Sequence, residues 1–171
     1  MAMHRIRRQV LYPVLTCAAG FVLAVLVLPA RSGAEDKKTS PIKSRVITWD
    51  EAKTNKGPWG EMHVHFNGET FSTKDGFAAI AVVEPGKAVH AAHRHAEEEY
   101  LVITEGTGVW TLAGKDFPAR KGDALYVEPW VYHGLRNTGD KPLTFVVVKY
   151  NSKGVPIPPR PDNEKDEMPN P

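Results

Sequence analysis

Cysteine is almost absent from this sequence: Cys17 is the only one among 171 residues. A single thiol cannot close an intramolecular disulfide, so internal cross-links are excluded as a source of stability. Cys17 also lies in an apolar segment that we expect to be removed from the mature chain. A metal site with sulfur ligands is therefore excluded as well.

Charge is absent from the whole run between Val10 and Leu28, which follows a stretch that contains three arginines. A basic start, an apolar middle and small residues at the end are the pattern of an export signal, and we expect cleavage after Ala34. The run is close to the roughly 20 residues that span a bilayer, so an uncleaved membrane anchor is the alternative. Both interpretations place the folded part outside the cytoplasm, in the periplasm or secreted.

An excess of basic charge is also absent once the predicted leader, residues 1–34, is set aside. The full chain has 22 basic and 20 acidic residues, and the leader holds four arginines and no acidic residue. The remainder has 18 basic and 20 acidic residues, a formal net charge of −2. The composition therefore gives no case for nucleic-acid binding.

Long stretches with helical periodicity are missing. Short apolar or β-branched runs recur instead, separated by turn-forming residues, at 62–66, 77–83, 100–104, 108–112, 124–127, 131–135 and 143–150. Short strands at this spacing indicate an all-β sandwich or barrel. Residues 50–56 are the one helical candidate. The sequence shows neither a nucleophile triad nor a phosphate-binding loop.

Composition also marks the ends of the predicted domain. Residues 35–44 are polar and charged and are predicted to be a linker, and residues 45–150 are long enough for one compact domain. Residues 151–171 hold six of the 14 prolines and few apolar side chains. This composition predicts an extended or disordered tail, with a strap across a neighbouring subunit as the alternative.

Histidine and glutamate are concentrated in HAAHRHAEEEY, residues 90–100. In a β-strand, residues two apart point to the same face, so His93 and His95 project side by side and Arg94 faces the other way. Glu99 follows four residues later and can return to the same site. Two imidazoles and a carboxylate suit a divalent transition metal. The alternative is a polar strand end with exposed histidines.

Two motifs in this sequence resemble those of the cupin family, and the resemblance extends from about residue 62 to 150. The first motif consists of a glycine, an HxH pair, a glutamate and a second glycine. It is matched by Gly86, His93, His95, Glu99 and Gly106. The second is matched by Gly122, Asp123, Pro129, His133 and Asn137. Two departures are a first gap longer by one residue and a turn after Pro129 that lacks its glycine.

The resemblance implies a small double-stranded β-helix, the jelly-roll barrel of cupins. It implies a mononuclear metal site with the ligands His93, His95, Glu99 and His133. These would leave one or two positions of a divalent ion open for substrate, oxygen or water. The ion could be Mn, Fe, Ni, Cu or Zn. Many cupins are dimers, and exposed strand edges give a physical reason to expect a homodimer here.

Two functions fit these expectations. The first is an exported, metal-dependent enzyme of the dioxygenase, decarboxylase or isomerase type that acts on a small oxygen-bearing molecule. The second is a non-catalytic module that captures a small molecule or a metal outside the cytoplasm. A carboxylate, tyrosine or lysine in the cavity would favour catalysis, whereas a wall of aromatic and aliphatic residues alone would favour binding.

Several other residues have predicted places. By strand parity His90 should not share the ligand face, and it is predicted to be exposed, with a position at the rim as the alternative. His63 and His65 are predicted to form a polar face, with a second metal site as the alternative. Glu97 is predicted to be solvated, and Asn137 to fix a turn. Core or pocket-wall positions are predicted for Trp110, Tyr126, Phe145 and Val147.

Overall fold

The computed structural model describes residues 40–161, which contain strands and turns but no helix. These residues lie within one compact unit of the chain. The strands are β1 (Lys53–Gly57), β2 (Gly60–Gly68), β3 (Gly76–Val83), β4 (Glu98–Glu105), β5 (Thr107–Leu112), β6 (Lys115–Arg120), β7 (Ala124–Val127), β8 (His133–Asn137) and β9 (Leu143–Tyr150). This part of the chain accordingly has no helix of the length and apolarity needed to cross a membrane.

The strands form two sheets in which all neighbours are antiparallel. The larger sheet has the order β1-β2-β3-β9-β4-β7, and the smaller one has the order β6-β5-β8. Successive side chains of a strand point to opposite faces. In β9, for example, Phe145 and Val147 are buried whereas Val148 is exposed. The all-β prediction is therefore confirmed for the described residues.

The hydrophobic core is built from the inward-facing residues of both sheets. It contains Ala79, Ala81, Val83, Leu101, Ile103, Trp110, Ala119, Leu135, Leu143, Phe145 and Val147. The predicted core positions of Trp110, Phe145 and Val147 are confirmed. The prediction for Tyr126 is wrong, because this residue lies on the outer face of the edge strand β7 and is 45% exposed.

Asn137 connects the two sheets at the end of β8. Its Nδ2 donates hydrogen bonds to the carbonyl oxygens of Val83, at 2.8 Å, and Lys141, at 2.8 Å. Its Oδ1 accepts one from the backbone N–H of Gly139 at 2.9 Å. The prediction that Asn137 fixes a turn is confirmed, and the bond to β3 adds a link between the sheets.

Residues 50–56, the one helical candidate, do not form a helix. Residues 53–57 form β1, an edge strand whose five residues are all exposed. A strand with no buried face has no apolar alternation, so the sequence carries no strand signal there. The same reason applies to β6, in which Ala119 is the one buried residue.

The first part of the predicted tail packs on its own domain. Lys153 Nζ lies 2.6 Å from Glu69 Oε1 and donates a hydrogen bond to the carbonyl oxygen of Thr70 at 2.7 Å. Trp130 Nε1 donates a hydrogen bond to the carbonyl oxygen of Pro158 at 2.8 Å. The predicted leader (1–34), residues 35–39 of the linker and residues 162–171 of the tail lie outside the described residues and stay predictions.

Candidate metal centre

The four predicted ligands come from three places in the fold. Glu99 is the second residue of β4 and His133 is the first residue of β8. His93 and His95 lie between β3 and β4, where the backbone is irregular rather than the strand that parity assumed. Two backbone hydrogen bonds tie His93 to His133, His93 N to His133 O at 2.9 Å and His133 N to His93 O at 2.8 Å. This bridge holds the irregular segment against the smaller sheet.

The side chains on this segment nevertheless separate as predicted. His93 and His95 share one side, with their ring centroids 5.1 Å apart. Arg94 is 3% exposed, and its guanidinium carbon lies 5.0 Å from the centroid of the Tyr132 ring. Arg94 therefore packs away from the histidines.

The four candidate ligands form one cluster. His95 Nε2 lies 3.2 Å from Glu99 Oε2, and His133 Nε2 lies 3.3 Å from Glu99 Oε1. The ring centroids of His93 and His133 are 4.6 Å apart, and those of His95 and His133 are 4.9 Å apart. One nitrogen from each histidine lies within 4.8 Å of the other two, a spacing at which the three could hold one metal ion.

The hydrogen bonds of the imidazoles fit a bound cation. His133 Nδ1 donates to the carbonyl oxygen of Val131 at 2.9 Å, since a carbonyl oxygen can only accept. In the neutral ring this leaves the lone pair of Nε2 directed at the cluster. His93 Nδ1 is buried and makes no hydrogen bond within the part of the chain that the structure describes, and the buried His133 Nε2 has only the 3.3 Å contact with Glu99 Oε1 there. Buried polar atoms without partners are costly, and a cation between them would remove that cost.

The electrostatics of the cluster favour positive charge. Burial alone would raise the pKa of Glu99, but its interactions with the His133 and His95 imidazoles outweigh burial and lower it to about 2. Burial alone would lower the pKa of His95, but hydrogen bonds with Glu97 and Glu99 raise it to about 9. Burial, followed by the neighbouring histidines, lowers the pKa of His93 to about 3. In the metal-free protein an imidazolium therefore balances the carboxylates, a role that a metal ion would take over.

Glu97 also belongs to the site, although sequence reasoning predicted a solvated side chain. Its Oε2 lies 3.3 Å from His95 Nδ1, and the same nitrogen is 3.1 Å from the carbonyl oxygen of Glu97. The hydrogen bond with His95 lowers the pKa of the Glu97 carboxyl to about 2. Such a carboxylate fixes the orientation of a ligating imidazole and directs its other nitrogen at the metal.

The cluster opens into a cavity of about 490 Å³. The cavity wall is mainly apolar and includes Met62, Phe77, Val89, Leu101, Leu135, Phe145 and Val147. Its polar lining, apart from the candidate ligands, includes Asn67, Asp75, His90, Glu97 and Lys149. The cavity therefore combines an apolar body with a few polar groups, as small-molecule sites usually do.

The remaining histidines differ in how closely they approach this site. His90 is exposed as predicted, but it also lines the cavity, and its ring lies edge-on to that of His93 at 4.0 Å. His63 lies outside the cavity, stacked on Trp49 at 3.5 Å, and His65 Nδ1 contacts the carbonyl oxygen of His63. Among residues 40–161, the histidine and acidic groups placed to hold a metal are those of the 93–133 cluster.

Residues 79–149 match the family described as a cupin domain, and the match spans all four candidate ligands. Residues 79–149 therefore form a domain of the cupin superfamily. A solved structure agrees in fold: the double-stranded β-helix domain protein of Klebsiella pneumoniae gives a TM-score of 0.53 at 22% identity, covering 66% of this chain and 95% of that one. The cupin barrel implied by the two motifs is thus supported.

Curated relatives of this cupin have varied names. Protein SchB of Streptomyces halstedii is 29% identical over 120 residues, which are 70% of this chain and 83% of SchB. The oxalate-binding protein of Thermotoga maritima is 28% identical over 63% of this chain and 90% of its own length. A gentisate 1,2-dioxygenase of Streptomyces sp is 33% identical over 47% of this chain, but over only 23% of its own length.

Proposed function

We propose that the protein is an exported, metal-dependent cupin enzyme that acts on a small oxygen-bearing molecule. One divalent transition metal ion would be held by His93, His95, Glu99 and His133. The observation that carries the proposal is the convergence of these four side chains in one cluster, of which His93, Glu99 and His133 line a cavity of about 490 Å³. Cavities of small-molecule sites typically measure about 300–1,000 Å³.

Catalysis is favoured over passive binding by the polar groups beside the cluster. When bound, a divalent ion supplies Lewis-acid or redox chemistry at its open coordination positions. Glu97 and Lys149 line the same cavity and place a carboxylate and an ammonium group beside the substrate. The apolar wall excludes water and strengthens every charge interaction inside the cavity. A dioxygenase, decarboxylase or isomerase activity fits these groups.

The second candidate function is a binding module without turnover. It is favoured by the mainly apolar wall and by the relative from Thermotoga maritima, an oxalate-binding protein that is matched over 90% of its length. A binding module would hold the metal and the ligand and leave the ligand unchanged. Product formation distinguishes the two functions once the metal is known.

We also propose that the protein is a homodimer, and that its mature form begins at Glu35. Exposed apolar side chains on neighbouring strands of the larger sheet, Tyr100, Val102, Tyr126 and Val148, support the first proposal. The basic and apolar pattern of residues 1–34 supports the second. The intact mass of protein recovered from outside the cytoplasm measures where the mature chain begins.

The metal proposal is tested by elemental analysis of the purified protein beside a His93→Ala, His133→Ala double variant. We expect about one equivalent of a transition metal in the wild type and a loss of most of it in the double variant. His65→Ala is the matched control, because His65 does not line the cavity and its Nδ1 contacts the carbonyl oxygen of His63. It should retain the wild-type metal content.

Each outcome directs the next step. A redox-active metal would lead to oxygen-consumption assays, and zinc or manganese would lead to isomerase, decarboxylase and binding assays. Equal and negligible metal in all three proteins, even after incubation with each candidate ion, would refute the metal site. Circular dichroism of the double variant confirms that the loss of metal is not a loss of fold.

A further inference from the structure

Lys149 occupies a position that the alternation of β9 reserves for an apolar side chain. The inward-facing residues of this strand are Leu143, Phe145 and Val147, all of which are buried. The next inward position is Lys149, whose side chain is 29% exposed and lines the cavity. A lysine at the end of an apolar row is costly unless its ammonium group finds a partner.

The strand register places this ammonium group beside the candidate metal centre. Lys149 is the direct cross-strand neighbour of Glu99 on β4 and of Phe77 on β3. Side chains directly opposite each other on one face have Cβ atoms about 4.5–5.5 Å apart. Lys149 and the ligand Glu99 therefore share the wall of the cavity, and Lys149 Nζ lies 5.7 Å from the centroid of the Phe77 ring.

The ammonium group has hydrogen-bonding capacity to spare. Within the described residues its acidic partner is Glu97, with Nζ 3.7 Å from Oε1, which is too long for a hydrogen bond. The other oxygen of Glu97 is directed at His95 Nδ1, at 3.3 Å. A lysine has three N–H donors, so its ammonium group can donate hydrogen bonds to a bound anion without losing an existing one.

We propose that Lys149 is the anion-binding subsite of this cavity and that the natural ligand is a small carboxylic acid with an apolar body. This inference rests on the proposed metal site, because the carboxylate would lie between Lys149 and the ion. The apolar walls, among them Phe77, Leu101 and Phe145, accept a hydrocarbon or aromatic body. They offer few partners for the many hydroxyl groups of a neutral sugar, which would stay unpaired in the cavity.

The test compares two ligands of nearly equal shape, salicylate and its neutral amide, salicylamide. Affinities are measured by isothermal titration calorimetry with the Co(II)-loaded and the metal-free protein. The visible absorption of Co(II) reports separately whether each ligand reaches the ion.

The variants are Lys149→Met, which keeps the length of the side chain without its charge, and Lys149→Arg, which restores a cation. Lys121→Met is the matched control, because Lys121 pairs with Glu105 and does not line the cavity.

We expect Lys149→Met to bind salicylate about tenfold more weakly than the wild type, as for the loss of one charged hydrogen bond. Salicylamide affinity should change less than twofold, and Lys149→Arg should recover most of the preference for salicylate. Lys121→Met should behave as the wild type. An unchanged ratio of the two affinities in Lys149→Met would overturn the proposal and leave Lys149 as a structural partner of Glu97.

The two proposals fail in different ways. If the protein takes up no Co(II), the metal site is refuted, but titrations of the metal-free protein still measure the contribution of Lys149. If Co(II) binds and the preference for salicylate survives in Lys149→Met, the metal site stands and the anion subsite is refuted. A loss of affinity for both ligands in Lys149→Met would also contradict the proposal, since it would indicate damage to the cavity.

Discussion

At the scale of single residues, the Glu97 carboxylate lies between His95 and Lys149. Its two oxygens are 3.3 Å from His95 Nδ1 and 3.7 Å from Lys149 Nζ. When the ligand nitrogen of an imidazole faces a metal, a carboxylate on its other nitrogen keeps the ring in place and raises its basicity. Glu97 is therefore a positioning residue for the candidate ligand His95.

Glu97→Gln should weaken metal binding by about tenfold. The loss of such a partner typically costs roughly 10–100-fold in affinity. We expect the lower end of this range because the backbone carbonyl oxygen of Glu97 also contacts His95 Nδ1, and the substitution preserves this contact. Competition with a chromophoric chelator for Zn(II) measures the affinity. Glu98→Gln is the control, since Glu98 accepts a hydrogen bond from Tyr126 on the outer side of the sheet. Equal affinities of the two variants would refute the role of Glu97.

The sequence carried more information on the ligands than on the groups around them. The spacing of residues 93–99 indicated three of the side chains that the structure brings together, and the resemblance to the two cupin motifs implied the fourth, His133. Glu97 was missed because residues 93–97 are irregular, so strand parity says nothing about where its side chain points. Lys149 could have been found, because the alternation of LTFVVVKY places it on the same face as Phe145 and Val147.

At the scale of strands and turns, the predictions succeeded where one face is buried. All seven predicted apolar runs overlap strands of the structure, and β8 begins at His133 rather than at 131. The failures, β1 and β6, are strands with almost no buried residue. Such strands exist because they pair with the strand next to them in sequence, β1 with β2 and β6 with β5, and backbone pairing leaves no mark in apolar periodicity.

Asn137→Ala should lower the free energy of unfolding by about 2–4 kcal/mol. The side chain is fully buried and makes three hydrogen bonds, one of which joins β8 to the end of β3 in the other sheet. Alanine leaves the buried carbonyl oxygen of Val83 without this donor, at about 1–3 kcal/mol, and also removes the partly buried hydrogen bond to Lys141, at about 1 kcal/mol. Urea unfolding measures the difference. Asn55→Ala on the exposed strand β1 is the control and should change stability by less than about 0.5 kcal/mol. A comparably small effect at Asn137 would contradict the role of this link.

At the scale of the whole molecule, the cupin barrel leaves one outer face of the larger sheet partly apolar. Tyr100 is paired in register with Tyr126 on β7 and with Val148 on β9, and these residues are 43%, 45% and 37% exposed. Val102, on the same face of β4, is 40% exposed. Contiguous apolar surface of this kind usually marks an interface, and β7 is the edge strand beside it. A second copy of the chain presents the same face, so the two apolar faces can pack against each other in a dimer with two-fold symmetry.

Val102→Lys should therefore convert the predicted homodimer into a monomer. The substitution places a charge at the centre of the apolar face on each subunit, so a two-fold interface would have to bury two like charges. Size-exclusion chromatography with light scattering should give twice the mass of one chain for the wild type and the mass of one chain for the variant. Phe117→Lys is the control, because Phe117 is similarly exposed, at 46%, but lies on β6 in the smaller sheet. A monomeric wild type would refute the homodimer. Loss of the dimer in Phe117→Lys but not in Val102→Lys would place the interface elsewhere.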